Sequence, residues 1–180
     1  MNPREAVFRA LELGTSTSPD APAELRGLIA VTGPGRQELR RAAIAALSCT
    51  AGAQATDDFA ALLGDRTRAV REEASWALYD VGDDRAWETV LEFLAGEVRE
   101  RGPRRGPLPP AMPISYLAVH APAGSDRARR LTGFLRGQWL RLSAAERQWL
   151  AGHAPQVAPG GPAEHLVRLP GREDLTRAVG

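Results

Sequence analysis

In the stretch "RAVREEASWALYDVG" (residues 68–82) carboxylates and aromatic rings recur at intervals of three and four residues. At 100° per residue, Val70, Ala74, Ala77, Leu78 and Val81 form one apolar stripe. Trp76 falls opposite that stripe, with Glu72 one turn before it, Tyr79 and Asp80 one turn after, and Glu73 on the flank. Such a set has two uses. Glu72, Glu73 and Asp80 could work as acid and base, or they could select a basic group while Trp76 and Tyr79 supply apolar anchorage. The competing reading is a solvated charged face, because Arg68 and Arg71 lie close enough along the helix to pair with these acids. A further alternative for Trp76 is packing between neighbouring helices.

Other chemistry finds little footing. "TGPGRQE" (32–38) has glycines but no Gly-Lys-Ser/Thr ending and no preceding strand, so it reads as a turn between helices. There is no nucleophile elbow. His120, His153 and His165 stand apart, with none at the i, i+4 spacing of a helical zinc site. The single Cys49 rules out an internal disulfide and a cysteine zinc site, which favours a reducing compartment, here expected to be the cytoplasm. We therefore assign no catalytic residue, no metal ligand and no cofactor from sequence.

These residues must be held by helices. Ala, Leu and Arg are abundant and aromatics make up 6%, a composition that favours helix over sheet. All 23 basic residues are Arg, the signature of a GC-rich coding genome and so of a bacterial source. At the N-terminus Asn2, Pro3 and Glu5 read as the cap of an amphipathic helix rather than a signal peptide. No window holds the ~18 apolar residues that a membrane span requires. The net charge of +1 conceals a segregation: residues 53–96 carry ten acids against four Arg, and residues 97–147 carry ten Arg against four acids.

A self-comparison at an offset of 31 residues lays "LRRAAIAAL" (39–47) on "VREEASWAL" (70–78), and "RGLIAVTG" (26–33) on "DDFAALLG" (57–64). Each repeated unit is then two short helices that cannot bury their apolar faces alone. The sequence "LLGDRTRAVREEASWALYDVGDD", an apolar helix, a Gly-Asp turn and a "VRxxAxxAL" helix, resembles the HEAT-repeat family in its bacterial short-repeat form, across residues 20–101. The resemblance implies an all-α fold, a short right-handed α-solenoid of antiparallel helix pairs. It also implies that Asp65, Arg71 and the small Ala residues serve capping and packing, and that the second helices line a concave surface.

The pattern breaks after Glu100. Residues 102–113 hold five Pro and two Gly, a Pro/Arg-rich loop insertion. "ISYLAVHA" then reads as the displaced partner helix, 125–142 as a further helix, and "SAAERQWLAG" as a short helix opened by the capping pair Ser143 and Glu146. Trp87, Trp139 and Trp149 are assigned to the core. The resulting division is a helical-repeat domain over 1–152 and an irregular C-terminal tail over 153–180.

Three functions fit. The first is a protein-binding adaptor or accessory subunit, not an enzyme, that uses Trp76, Tyr79, Glu72, Glu73 and Asp80 on the concave face and takes another protein as partner, with self-association as a variant. The second is nucleic-acid binding through a basic patch of Arg104, Arg105, Arg127, Arg130 and Arg141. There the i, i+4 pair Trp76 and Asp80 is similar to the aromatic and carboxylate pair of the HEAT-like alkylpurine DNA glycosylases, although no Arg fits that family's further catalytic-face position. The third is a cationic small metabolite bound on the acidic aromatic face.

Overall fold

The computed structural model describes residues 2–100 and 113–159, and every element in them is helical. Residues 101–112, with Arg104 and Arg105 of the stretch read from sequence as a loop, lie outside the described residues, as do residues 160–180 with His165. The chain divides into two compact units, Met1–His120 and Ala121–Gly180. That division falls inside the stretch 1–152 read from sequence as one domain.

In the first unit the helices are α1 (Pro3–Gly14), α2 (Ala21–Ala30), α3 (Gln37–Ala51), α4 (Thr56–Leu62), α5 (Arg68–Val81), α6 (Trp87–Glu100) and α7 (Ile114–Val119). Their ends follow from sequence. Asn2 caps α1 by accepting from the Arg4 N–H, and Glu5 accepts from the Asn2 N–H in return. The Gly-rich turn 32–36 connects α2 to α3 with Gly33 and Gly35 at positive φ, a conformation that side chains disfavour.

Helix α3 packs on α1, α2 and α5, and α4 and α7 also pack on α5. Small residues permit the approach of α1 to α3: a Cβ placed on Gly14 would lie 3.0 Å from the Cβ of Ala46. The core of the unit is Leu25, Ile44, Leu47, Phe59, Leu63, Leu78, Trp87, Leu94, Ile114, Tyr116 and Leu117, all fully buried. Trp87 donates its Nε1–H to the Leu117 carbonyl at 3.1 Å, and the Tyr116 hydroxyl donates to the Asp83 carbonyl. These two bonds fasten α7 to the start of α6. Helix α7 is therefore anchored by ring donors as well as by apolar contact.

Between helices run charged contacts at a near-constant separation along the chain. Arg26 pairs with Asp58 at 2.9 Å and Arg41 with Glu73 at 3.2 Å, each across 32 residues. Arg85 reaches the Ala53 carbonyl at 2.6 Å over the same separation. A largely buried charged pair joins Arg40 to Asp65. Its side chains are 9% and 17% exposed. The Arg40 guanidinium forks onto Asp65 at 3.2 and 2.5 Å and donates Nε–H to the Ile29 carbonyl at 2.7 Å.

Asp65 also accepts the Thr67 N–H at 2.8 Å, where α5 begins without a side-chain cap of its own. Arg71, the residue that the 31-residue offset lays on Arg40, donates to the Asp65 carbonyl at 2.8 Å, while its Nε is buried without a partner. One carboxylate thus orders the start of α5 and holds Arg40 of α3.

Among the described residues three carboxyls are held below their usual range, Asp83, Asp65 and Glu24, the last by its hydrogen bonds from the Arg9 guanidinium. The Arg85 guanidinium, bonded at 2.6 to 3.1 Å, holds Asp83 at about 2. The Arg40 fork, helped by the Thr67 N–H, lowers Asp65. A carboxyl lowered in the folded state adds stability that is present above its unfolded pKa and lost as pH falls through its folded one. Melting temperatures should stay level down to about pH 4 and fall between about pH 4 and pH 2, and Asp83→Asn should flatten part of that fall.

The second unit holds α8 (Asp126–Gln138), a 3₁₀ turn at Trp139–Arg141, and α9 (Ala144–His153). Ser143 and Glu146 form the expected capping box, with Glu146 fully buried. Ala128, Leu131 and Leu135 are buried along α8, as are Leu142 after the 3₁₀ turn and Leu150 on α9. Trp139 and Trp149 are not fully buried as Trp87 is, which corrects the core assignment. Trp139 lies in the 3₁₀ turn, where 120° per residue carries it off the α8 stripe. The Arg147 guanidinium sits 6.0 Å from its ring centre. Trp149 stacks on His153, with centroids 5.1 Å apart.

Candidate functional site

Helix α5 is amphipathic because Val70, Ala74, Ala77 and Leu78 return to one face, which packs on α3 and α4. Ser75 is buried with them, its hydroxyl bonded back to the Glu72 carbonyl at 2.7 Å. Opposite that face, Trp76, Tyr79 and Asp80 are exposed. Trp76 is 47% exposed and Tyr79 38%. The two rings stand nearly perpendicular, at 76°, with centroids 6.5 Å apart. An edge-to-face pair of this kind orients both rings without burying them. Among the described residues the Trp76 indole N–H, the Tyr79 hydroxyl and the Asp80 carboxylate have no hydrogen-bond or ion-pair partner, and Asp80 is exposed beside them.

The two glutamates are differently placed. Glu72 is held by Arg68 at 2.6 Å, the i, i+4 pairing foreseen from sequence. Glu73 is held not by Arg71 but by Arg41 from α3. Arg71 turns instead toward the carbonyls of Asp65 and Arg66. Of the five residues read as one face, Trp76, Tyr79 and Asp80 remain an open set, and Glu72 and Glu73 are partly buried and neutralised. The equivalent face of α3 carries Ala45, Ser48 and the exposed Cys49.

Arg104 and Arg105 of the basic patch lie outside the described residues. Arg127 and Arg130 lie on α8 and are engaged in interactions of their own, and Arg141 is exposed in the 3₁₀ turn. Arg129 pairs with Asp126 at 3.3 Å. His120 is bonded to the Gly82 carbonyl and packed at 4.7 Å on the Tyr116 ring. Among the described residues no group of three or more His, Cys, Asp and Glu could hold a metal ion, and no helix is long and apolar enough to cross a membrane.

Compared with known proteins, the sequence matches no family model and no curated protein, and the fold matches no solved structure.

A cleft of about 650 Å³ lies between the turn 32–37 and the turn 64–67. Its lining includes Thr32, Gln37, Arg66 and Thr67, together with the Arg40–Asp65 fork. Arg40 and Asp65 satisfy one another and the adjacent backbone, so the cleft is a polar seam between successive helix starts. The α5 corner is the reverse. It exposes apolar ring surface next to polar groups that have no hydrogen-bond partner among the described residues.

Proposed function

We propose that the protein is a non-enzymatic, protein-binding adaptor or accessory subunit built as a short α-solenoid of HEAT-like, antiparallel helix pairs, with α5 presenting its contact surface. The repeat part of this reading is supported by contacts at a separation of 32 residues, close to the 31-residue sequence offset, which join α2 to α4 and α3 to α5. The single observation that carries the functional part is the open Trp76, Tyr79 and Asp80 set. Exposed aromatics with free polar edges are the residues that dominate protein interfaces when a partner desolvates them.

The nucleic-acid reading draws no comparable support, since Arg127 and Arg130 are already engaged. A cationic metabolite would use the same corner as a protein partner. Small-molecule sites bury roughly 70–90% of their ligand, however, and this corner is open on its outer side.

The test is capture from native lysate with wild type and Trp76→Ala side by side, before and after nuclease, followed by titration of the identified protein in purified form. Trp76→Ala is expected to reduce binding at least tenfold, as truncation of an aromatic anchor does. Its melting temperature should move by no more than about 4 °C, because a half-exposed side chain contributes on the order of 1 kcal/mol. A severe loss of stability would instead make Trp76 a packing residue and sink the proposal. Capture that depends on nucleic acid would also sink it.

A further inference from the structure

We infer that the Trp76–Tyr79–Asp80 corner takes a single arginine side chain from the surface of a different protein. This inference rests on the adaptor reading and narrows it. Its first ground is the unpaired carboxylate at the C-terminal end of α5, more than two turns from Arg71, which is bonded to the carbonyls of Asp65 and Arg66. Glu72 is neutralised by Arg68 and Glu73 by Arg41, while Asp83, just past the helix, is neutralised by Arg85 at 2.6 Å. Asp80 alone keeps an exposed carboxylate with no hydrogen-bond or ion-pair partner among the described residues. One cation balances that charge.

The second ground is geometry. Trp76 and Asp80 stand one helical turn apart, a spacing that brings Cβ atoms to within about 5–6 Å. A guanidinium laid flat on the indole has N–H donors along its edge, and those donors can reach the neighbouring carboxylate. Tyr79, nearly perpendicular to Trp76 at 76°, forms the side wall of the corner. Its free hydroxyl can accept from the same group.

The third ground is exposure. With Trp76 47% and Tyr79 38% open, the corner cannot strip a strongly hydrated ammonium of its water. A guanidinium is weakly hydrated and stacks while wet, so arginine gains here where lysine gains little. The same openness argues for a residue carried on a protein surface, whose flanking chain covers the outer side. The occupant is assigned to a different protein because the chain's own basic helix is occupied, with Arg127, Arg130 and Arg136 engaged and Arg129 paired with Asp126; the exposed Arg4, Arg99 and Arg141 make a second copy the competing occupant, which sedimentation decides.

The experiment titrates the ¹⁵N-labelled full chain with the tripeptide acetyl-Gly-Arg-Gly-amide, then with its Lys and citrulline counterparts, and follows indole and backbone N–H signals. The Arg peptide should shift the Trp76 indole and the amides of residues 76–80. The Lys peptide should bind about 2- to 5-fold more weakly, the range of an exposed cation–π contribution, and uncharged citrulline should leave the signals still. Asp80→Asn and Trp76→Phe, with otherwise unchanged spectra, should each weaken the Arg response, while Glu72→Gln should not.

Equal responses to Arg and Lys, an unaffected Asp80→Asn, or shifts centred elsewhere would overturn the inference. Trp76-dependent self-association in sedimentation would overturn the claim of a different partner. If an identified partner needs Trp76 but tolerates replacement of all its surface arginines, the adaptor reading survives and the arginine inference fails. If the Arg peptide binds as described but no protein is captured through Trp76, the adaptor reading fails instead.

Discussion

Asp65→Ala is expected to lower the melting temperature by roughly 6–12 °C, the equivalent of about 3 kcal/mol for a chain of this size. The effect is large because of what is left behind. Arg40 has a side chain only 9% exposed, and two of its three hydrogen-bonded nitrogens are held by Asp65. Removing the carboxylate leaves a charge in a poorly solvated place and also takes the acceptor from the Thr67 N–H at the start of α5. The figure sits at the low end for a buried pair because Asp65 is itself 17% exposed. Arg40→Met combined with Asp65→Leu should recover much of the loss, since the cost lies in the unpaired charge. A coupling between the two sites of less than about 0.5 kcal/mol in thermal or urea melts would mean that the fork contributes little.

Trp87→Ala should be at least as damaging, at roughly 3–5 kcal/mol, or about 6–20 °C. The ring is fully buried at the first position of α6, and its Nε1–H is bonded to the Leu117 carbonyl on α7. The substitution opens a cavity and deprives that carbonyl of its donor. Trp87→Phe separates the two effects, because it fills most of the space but restores no donor. Its cost should be about 1–3 kcal/mol and should be accompanied by faster hydrogen exchange in α7. If Trp87→Ala melts like the wild type, the fastening of α7 to α6 has been misassigned.

The parts of this structure that follow from local rules were legible in sequence. Capping boxes at Asn2/Glu5 and at Ser143/Glu146 involve residues three apart, and the α5 stripe needs only a constant angle per residue. The same angle put Trp76 opposite the core, where it is found. Legibility failed where side chains choose among several neighbours. Arg71 and Glu73 are two residues apart on one helix, yet Glu73 binds Arg41 from α3 and Arg71 turns to backbone carbonyls. No helical spacing encodes a choice that depends on where another helix lies. Trp139 was missed for a different reason, because a short 3₁₀ turn follows a different angle and nothing in "GQWLRL" announces the change.

The fork from Arg40 to Asp65 also points one way along the chain, from an earlier residue to one 25 positions later. On a ribosome adding roughly 5–20 residues per second, the arginine emerges about one to five seconds before its carboxylate. During that interval α3 can form as a helix, but settling Arg40 into its native place would bury a bare charge. The nascent α3 must wait in water until the turn before α5 has been made. The order of synthesis is thereby written into the order in which the layers of the protein can close.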